Sequence, residues 1–142
     1  MTEVDLGVLD TNAVILLGRL DPEHLPTHPL ISVVTLAELS VGPLVTDDPV
    51  ERAARQSVLQ AAEASFDPLP VDAPAARAFG RAAAGVRRSG RSVRPRSLDV
   101  LVAAVAIAND LPLFTCNPSD FAGIAELVLV AVPHPDQQST PR

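Results

Sequence analysis

The sequence predicts a single α/β domain with a central, mostly parallel sheet and helices on both of its faces. Short apolar segments that end in turn-forming residues alternate with longer segments whose apolar residues recur at helical spacing. This alternation is typical of parallel sheets, because each connecting helix packs back onto a face of the sheet. The length of 142 residues agrees with one domain over 1–132, followed by a polar tail, 133–142, that we expect to be disordered.

The composition excludes several classes of protein. The net charge is −6, which is unlike a generally basic nucleic-acid binder, and all eleven basic residues are arginines. Without lysine, the chain can form neither a nucleotide-binding loop of the G-x-x-x-x-G-K type nor the usual phosphoaspartate site. The single cysteine, Cys116, leaves no internal disulfide and no thiolate metal site. The chain also has no signal-peptide pattern and no apolar run long enough for a membrane span, so we expect a cytoplasmic protein that does not bind membranes.

The first predicted strand, Val4 to Leu9, ends at an acid followed by a hydroxyl and an amide, Asp10-Thr11-Asn12. Residues 13–17 are apolar and begin a helix, for which Thr11 or Asn12 would be the N-cap. Asp10 then lies at the carboxyl end of an early strand, where open α/β sheets bind ligands. The alternative is that Asp10 only marks the end of the strand.

The second predicted strand, Leu30 to Val34, leads into a helix at residues 35–41, and this helix carries Glu38. Two roles are open for this acid. Thr35 and Glu38 have the spacing of a capping box, in which both side chains close the helix end. Alternatively, Ser32 is the cap and Glu38 points from the first turns into the crevice.

Two Ala-rich helices are predicted at 49–64 and 72–88, and residues 66–71 between them form a short third strand or an extended link. A basic segment at 87–96 follows, and its Gly and Pro residues predict a loop. Five arginines lie in it: Arg87, Arg88, Arg91, Arg94 and Arg96. Such a segment is either a solvated surface or a site of attraction for a phosphate backbone.

The next helix begins with Ser97 as its predicted N-cap, and it is hydrophobic all round from Val100 to Ala108, which predicts burial. Its lone charge is Asp99. An acid in the first turn is favourable beside a helix N-terminus, and that alone would explain its position.

A strand at Leu111 to Thr115 is followed by a polar turn that contains Asn117 and Asp120, and a last strand is predicted at 127–132. In a parallel sheet, the acid of this turn lies on the same edge as the residues that follow the other strands. Asp10, Glu38, Asp99 and Asp120 are therefore expected to lie around one crevice.

The negative charge of four carboxylates in one crevice needs a positive charge to offset it. Two unit charges about 4 Å apart repel by roughly 4 kcal/mol at an effective dielectric constant near 20. Because lysine is absent and no histidine is well placed, a hard divalent cation is the natural partner, and oxygen-only ligands favour Mg²⁺ or Mn²⁺. Such a site can activate water for an in-line displacement at phosphorus.

Four motifs occur in a fixed order between Val4 and Val132: Leu9-Asp10-Thr11-Asn12, Ser32-x-x-Thr35-x-x-Glu38-Leu39-x-x-Gly42, Asp99 with Ala103-Ala104, and Thr115-x-Asn117-x-x-Asp120-Phe121. In this order and spacing, the chain resembles a PIN-domain ribonuclease of the VapC-like toxin kind, found in bacterial toxin–antitoxin pairs. The resemblance implies a PIN-like α/β/α fold, Mg²⁺-dependent RNA cleavage with Mn²⁺ as a substitute, inhibition by a cognate antitoxin, and a homodimer.

The resemblance also implies roles for individual residues. Asp10, Glu38 and Asp99 match the catalytic, metal-binding acids. The fourth acid is open: many relatives have Asp where this chain has Asn117, so either Asp120 or the neutral oxygen of Asn117 completes the set. The remaining motif residues are expected to support the acids: Thr11, Asn12 and Thr115.

Two other functions compete with cleavage of RNA. One is that of a non-catalytic PIN-fold protein that binds RNA or a partner through the same groove, although it has no need for clustered acids. The other is that of a phosphatase of the D-x-D type, which would need an acid where this chain has Asn12, and a lysine, which the chain lacks.

Overall fold

The computed structural model describes residues 5–138, and four parallel strands form the centre of the protein. The strands lie in the order β2-β1-β3-β4, and each neighbouring pair is parallel, which confirms the predicted fold class. Their bounds are β1 Leu6–Leu9, β2 His28–Leu30, β3 Leu113–Thr115 and β4 Leu129–Ala131. The helices of the described residues are α1 Thr11–Ile15, α2 Val33–Val41, α3 Pro49–Ser65, α4 Ala73–Arg88, α5 Ser97–Ala108 and α6 Pro135–Gln138.

The two faces of the sheet are covered by different helices. Val8 and Leu113 point to one face, where they pack with buried residues of α4 and α5. Leu9 and Phe114, one position further along the same strands, pack on the opposite face with residues of α1 and α3. Alternate residues of the central strands are therefore buried on both sides, as expected for a parallel sheet between two helical layers. None of the described helices is long and apolar enough to span a membrane.

The strand order places a crevice beyond the carboxyl ends of β1 and β3. The chain leaves β1 for β2 on one side, whereas β3 lies on the other side of β1. The connections that follow β1 and β3 therefore diverge, and in open α/β sheets ligands bind where such a divergence occurs. The residues after Leu9 and after Thr115 line this crevice.

The second strand and the helix after it begin earlier than predicted. β2 ends at Leu30, and Val33 and Val34 already belong to α2. The reason is Ser32, whose side chain accepts a hydrogen bond from the amide of Thr35 and so starts the helix directly after the strand. Residues 66–71 do not form a full strand, because they pair with the chain only through a bridge between Ser32 and Leu69.

The basic segment is more regular than the predicted loop. Arg87 and Arg88 form the last turn of α4, and Arg94–Arg96 form a 3-10 helix that continues directly into α5. The prediction that Ser97 is the N-cap of α5 is therefore wrong. Ser97 is already helical, and its hydroxyl donates backwards to the carbonyl of Arg94 at 2.8 Å.

The tail also differs from the expected disorder over part of its length. Residues 135–138 form the short helix α6, and Asp136 pairs with Arg19 at 3.3 Å between Nη2 and Oδ1. Both side chains of this pair are largely exposed, so the pair adds little to stability. The rest of the predicted tail, 139–142, lies outside the described residues.

Candidate active site

Asp10 lies at the end of β1 and is the N-cap of α1. Its Oδ1 accepts from the amide of Ala13 at 2.9 Å, and its backbone carbonyl accepts from the amide of Val14. The prediction that Thr11 or Asn12 caps this helix is therefore wrong, because the acid does so itself. Asp10 Oδ2 accepts from the hydroxyl of Thr115 at 2.6 Å. The carboxyl group of Asp10 is thus fixed by one donor from α1 and another from β3.

The environment of Asp10 disfavours its charge. Only 5% of the residue is exposed, and this burial raises the pKa of its carboxyl above the ordinary value for aspartic acid. The hydrogen bonds from Thr115 and Ala13 lower the pKa of Asp10, while the charges of Asp120 and Glu38 raise it. The net direction is upward, so the ionised form of Asp10 is less favourable in this crevice than in water.

Glu38 is held in the crevice by a pair of threonines. The hydroxyl of Thr11 donates to Glu38 Oε1 at 2.5 Å, and it lies 3.0 Å from the hydroxyl of Thr35. Since Ser32 caps α2, the capping-box role of Thr35 and Glu38 is wrong, and the alternative in which Glu38 points into the crevice describes the geometry.

Asp99 lies in the first turn of α5, and its pKa is raised to about 6. Burial is the largest cause, followed by the charges of Asp120, Glu38 and Asp10, whereas Arg96 lowers the pKa. Because three other acids act on Asp99 through their charges, the four acids named from the sequence do lie around one crevice.

Asp120 follows β3 on a 3-10 turn, Pro118–Phe121. The amide of Asp120 donates to the carbonyl of Asn117 at 3.0 Å, and the amide of Asn117 donates to Thr115 Oγ1 at 2.9 Å. Thr115 therefore holds the start of this turn while it donates to Asp10. Its two hydrogen bonds couple the position of the Asp120 turn to the orientation of the Asp10 carboxyl group.

The structure divides the five predicted RNA-binding arginines into two groups. Arg91 donates to the carbonyl of Ser119 at 2.7 Å, and Arg96 donates to the carbonyl of Ser92 at 2.9 Å. The other three are exposed, and their guanidinium groups have no hydrogen bond or ion pair within residues 5–138: Arg87, Arg88 and Arg94. Asn12, predicted as a supporting residue, is also exposed and makes no side-chain hydrogen bond in the same range.

The acids fit Mg²⁺ better than they fit a metal that needs a complete protein shell. Over residues 5–138, no three Asp, Glu, His or Cys side chains are arranged to hold one ion. Mg²⁺ does not require this, since it usually keeps several waters and binds through one or two carboxylates and the phosphates of its substrate. The acids offer oxygen donors, their negative charges repel one another, and no lysine is present to offset them. A Mg²⁺ ion would neutralise this charge.

Sequence reasoning missed the contribution of Thr35 to the site. The sequence offered Thr35 as one of two possible caps of α2 and gave it no other role, but this residue is fully buried and its hydroxyl contacts Thr11. The available signal was the pattern Ser32-x-x-Thr35-x-x-Glu38, which has two possible caps for one helix.

A groove of about 410 Å³ opens beside Glu38, between α1, α2 and α3, and its apolar lining includes Ile15, Leu39 and Val58.

Comparison with known proteins identifies the family. The PIN-domain sequence profile matches residues 7–127. Ribonuclease VapC5 of Mycobacterium tuberculosis is 41% identical over 121 residues, which are 83% of this chain and 87% of the relative. The crystal structure of VapBC-5 from Mycobacterium tuberculosis, a member of the VapBC family of toxin–antitoxin systems, superposes with a TM-score of 0.77 at 36% identity and covers 89% of this chain and 98% of that chain.

A second solved structure has the same fold. DNA-bound VapBC from Salmonella typhimurium gives a TM-score of 0.70 at 26% identity, covering 89% of this chain and 96% of that chain. The matched profile spans the strands and helices that carry all four acids. The chain therefore belongs to the PIN-domain family, and within it to the VapC-type ribonucleases of VapBC toxin–antitoxin systems.

Proposed function

We propose that this ribonuclease toxin cleaves RNA internally in a Mg²⁺-dependent reaction at Asp10, Glu38, Asp99 and Asp120, with Mn²⁺ as a substitute ion. The observation that carries the proposal is the electrostatic coupling of the acids: the charges of Asp120, Glu38 and Asp10 all act on Asp99 and raise its pKa to about 6. A crevice that keeps repelling carboxylates together is unfavourable by itself and becomes favourable when a cation enters.

Each acid has a distinct part in this proposal. Asp10 is the fixed ligand, because two donors determine its orientation. Glu38 is oriented by Thr11, and Asp99 and Asp120 are partly exposed at the mouth of the crevice, where they can face a phosphate group and water. Mg²⁺, when bound, supplies the Lewis acidity that activates water and offsets the charge developing at phosphorus.

The binding of RNA is proposed for the arginines at the rim of the crevice. An acidic protein repels RNA at long range, so local positive charge is needed beside the acids. Arg87, Arg88 and Arg94 are exposed and unpaired within residues 5–138, which suits them to contact phosphates. Arg91 and Arg96 bond to carbonyls of the protein, and we propose that they mainly shape the rim.

The proposed protein partners are a cognate antitoxin and a second copy of this chain. The structure of VapBC-5 is of a member of a family of toxin–antitoxin systems, which supports an antitoxin partner here. The homodimer is supported by the resemblance and by the Ala-rich surface of α3 and α4, which permits close packing. Light scattering of the isolated protein should then give twice 14.9 kDa.

The alternative function is that of a PIN-fold protein that binds RNA or a partner without cleaving it. The same acids argue against it, since a binding surface for RNA gains nothing from four carboxylates that repel phosphate. An end-labelled RNA, incubated with the antitoxin-free protein in Mg²⁺, in Mn²⁺ or with a chelator, separates the two functions.

Internal cleavage in either metal, its loss on chelation and its loss in Glu38→Gln would support the proposal. The matched control is Glu63→Gln, which removes an exposed acid on α3 and should cleave like the wild type. RNA that is bound but left intact by the wild type under all conditions would establish the non-catalytic alternative.

A further inference from the structure

We propose that Thr35 is a positioning residue for RNA cleavage, which orients Glu38 through the hydroxyl of Thr11. This inference rests on the proposed function, because it gives Glu38 a role that depends on its orientation. Two contacts carry it: Thr35 Oγ1 lies 3.0 Å from Thr11 Oγ1, and Thr11 Oγ1 donates to Glu38 Oε1 at 2.5 Å.

The direction of this hydrogen-bond chain follows from the number of hydrogens. A threonine hydroxyl has one hydrogen to donate and two lone pairs with which to accept. Thr11 uses its hydrogen for the carboxylate of Glu38, so in the contact between the two threonines Thr35 must be the donor. The hydrogen from Thr35 occupies a lone pair of Thr11 and thereby helps to keep the Thr11 hydrogen directed at Glu38.

The backbone around Thr35 leaves its hydroxyl available for this task. A threonine in a helix commonly donates to the carbonyl four residues earlier, which here is Ile31. That carbonyl accepts the amide of Leu69 at 2.9 Å, through the bridge between residues 32 and 69. Thr35 has no hydrogen bond to Ile31, and its hydroxyl is directed at Thr11 instead.

Burial separates Thr35 from direct roles in the reaction. Thr35 has no exposed surface, so neither RNA nor a metal ion can reach its hydroxyl in the folded protein. Thr11 and Glu38 are partly exposed and border the crevice. An effect of Thr35 on cleavage that is not a loss of stability must therefore pass through Thr11, which makes the two substitutions non-additive.

The test compares substitutions that remove a hydroxyl at nearly constant volume with one that keeps it. Thr35→Val deletes the Thr35 hydroxyl, Thr35→Ser keeps the hydroxyl but removes a methyl group, and Thr11→Val deletes the group through which Thr35 acts. The matched control is Ser32→Ala, which removes the cap of the same helix without touching the chain of hydroxyls. The measurements are kcat and KM for RNA, the affinity for Mg²⁺ by calorimetry, and the Tm of every variant.

We expect Thr35→Val to lower kcat by about three- to tenfold, the loss of one hydrogen bond in the transition state, with little change in KM for RNA. Its affinity for Mg²⁺ should fall as well. Thr11→Val should lower kcat by about 10- to 100-fold, which is the range found for residues that orient metal ligands. The double variant should be no worse than Thr11→Val, and Thr35→Ser should recover most of the loss.

Three results would overturn the inference while wild type and Glu38→Gln behave as the proposed function requires. These are wild-type kcat and Mg²⁺ affinity in Thr35→Val, losses that multiply in the double variant, or an equal loss in Ser32→Ala, which would make the effect a general destabilisation of α2. By contrast, a wild type without Mg²⁺-dependent cleavage, or a fully active Glu38→Gln, would overturn the proposed function itself.

Discussion

The hydroxyl of Thr115 donates to Asp10 Oδ2 at 2.6 Å and so joins the carboxyl ends of the two central strands of the sheet. These residues are 105 positions apart in the sequence, and both are buried. The same hydroxyl accepts the amide of Asn117, from which the turn with Asp120 begins. One buried side chain therefore fixes an acid of the site and the start of the turn that carries another.

Thr115→Val should destabilise the protein at neutral pH. The substitution keeps the shape of the side chain but deprives a buried carboxyl group of one of its two donors, which costs about 1–3 kcal/mol. Urea denaturation at pH 7.5 measures the change in the free energy of unfolding. Thr115→Ser, which keeps the hydroxyl, is the control and should lose clearly less, whereas a Val variant as stable as the wild type would show that this hydrogen bond does not stabilise Asp10.

Asp99→Asn should stabilise the metal-free protein at pH 7.5, and its gain should be clearly smaller at pH 5. The pKa of Asp99 is about 6 in the folded protein and 3.8 for an unperturbed aspartic acid, so between these values the folded state binds more protons than the unfolded state. Stability must therefore decrease as the pH rises from 3.8 to about 6, because the folded state then acquires an unfavourable charge. Allowing for solvent screening, we expect a gain of about 1 kcal/mol.

This gain corresponds to about 3 °C in Tm for a chain of this size. Thermal unfolding in a chelator at both pH values measures it, with Asp67→Asn as a control at an exposed acid. The assignment of the raised pKa to Asp99 would be contradicted if the difference in Tm between Asp99→Asn and the wild type were equal at pH 5 and pH 7.5. It would also be contradicted if Asp99→Asn were less stable than the wild type.

Asp120→Ala should reduce cleavage far more than Asn117→Ala. The charge of Asp120 acts on both Asp10 and Asp99, so this carboxylate faces the same crevice. The hydrogen bonds of Asn117 within residues 5–138 involve its backbone, so they are preserved when Ala replaces Asn. A cleavage assay at saturating Mg²⁺ ranks the two variants. The reverse order would make Asn117 the fourth ligand, and negligible losses in both would leave a site of three acids.

Replacing Arg87, Arg88 and Arg94 with Ala should weaken RNA binding and flatten its salt dependence. Each phosphate neutralised on a single strand contributes about 0.7 to the slope of log affinity against log salt, so three contacts contribute about two units. Filter binding across a salt series, with Ca²⁺ in place of Mg²⁺ to suppress cleavage, measures the slope.

The control for this series is Arg52→Ala, since Arg52 bonds to the carbonyl of Thr46 near the start of α3. Arg91→Ala should leave the slope nearly unchanged, because Arg91 bonds to the carbonyl of Ser119. A slope in the triple variant equal to that of the wild type would mean that the three arginines do not contact RNA phosphates.

The sequence was sufficient for the parallel sheet and for the convergence of the acids, because strand ends on one edge of a sheet are fixed by topology. It was insufficient where two local interactions compete. Thr11 or Asn12 was the predicted cap of α1, but Asp10 caps it, and the carboxyl group of Asp10 is also held by Thr115 from a strand far along the chain. Ser97 is likewise not the N-cap of α5, because the preceding 3-10 helix continues into α5.

The hydroxyl contacts of the site were not predictable from spacing. Thr11 and Thr35 are 24 residues apart, and their contact depends on how α1 and α2 pack beside the sheet. The division of the arginines has the same origin, because Arg91 is engaged by a turn that lies 28 residues further along the chain. Sequence patterns report periodicity and turns, whereas these contacts depend on distances between elements.

The proposal that Mg²⁺ binds in the crevice of the four acids can be decided by a calorimetric Mg²⁺ titration of the wild type, Asp10→Asn and Asp99→Asn at pH 7.5. The wild type should show saturable binding, and each variant should bind Mg²⁺ at least about tenfold more weakly while remaining folded, since each loses a negative ligand of the ion. Equal Mg²⁺ affinity in the wild type and in both variants would contradict a shared metal site at these acids.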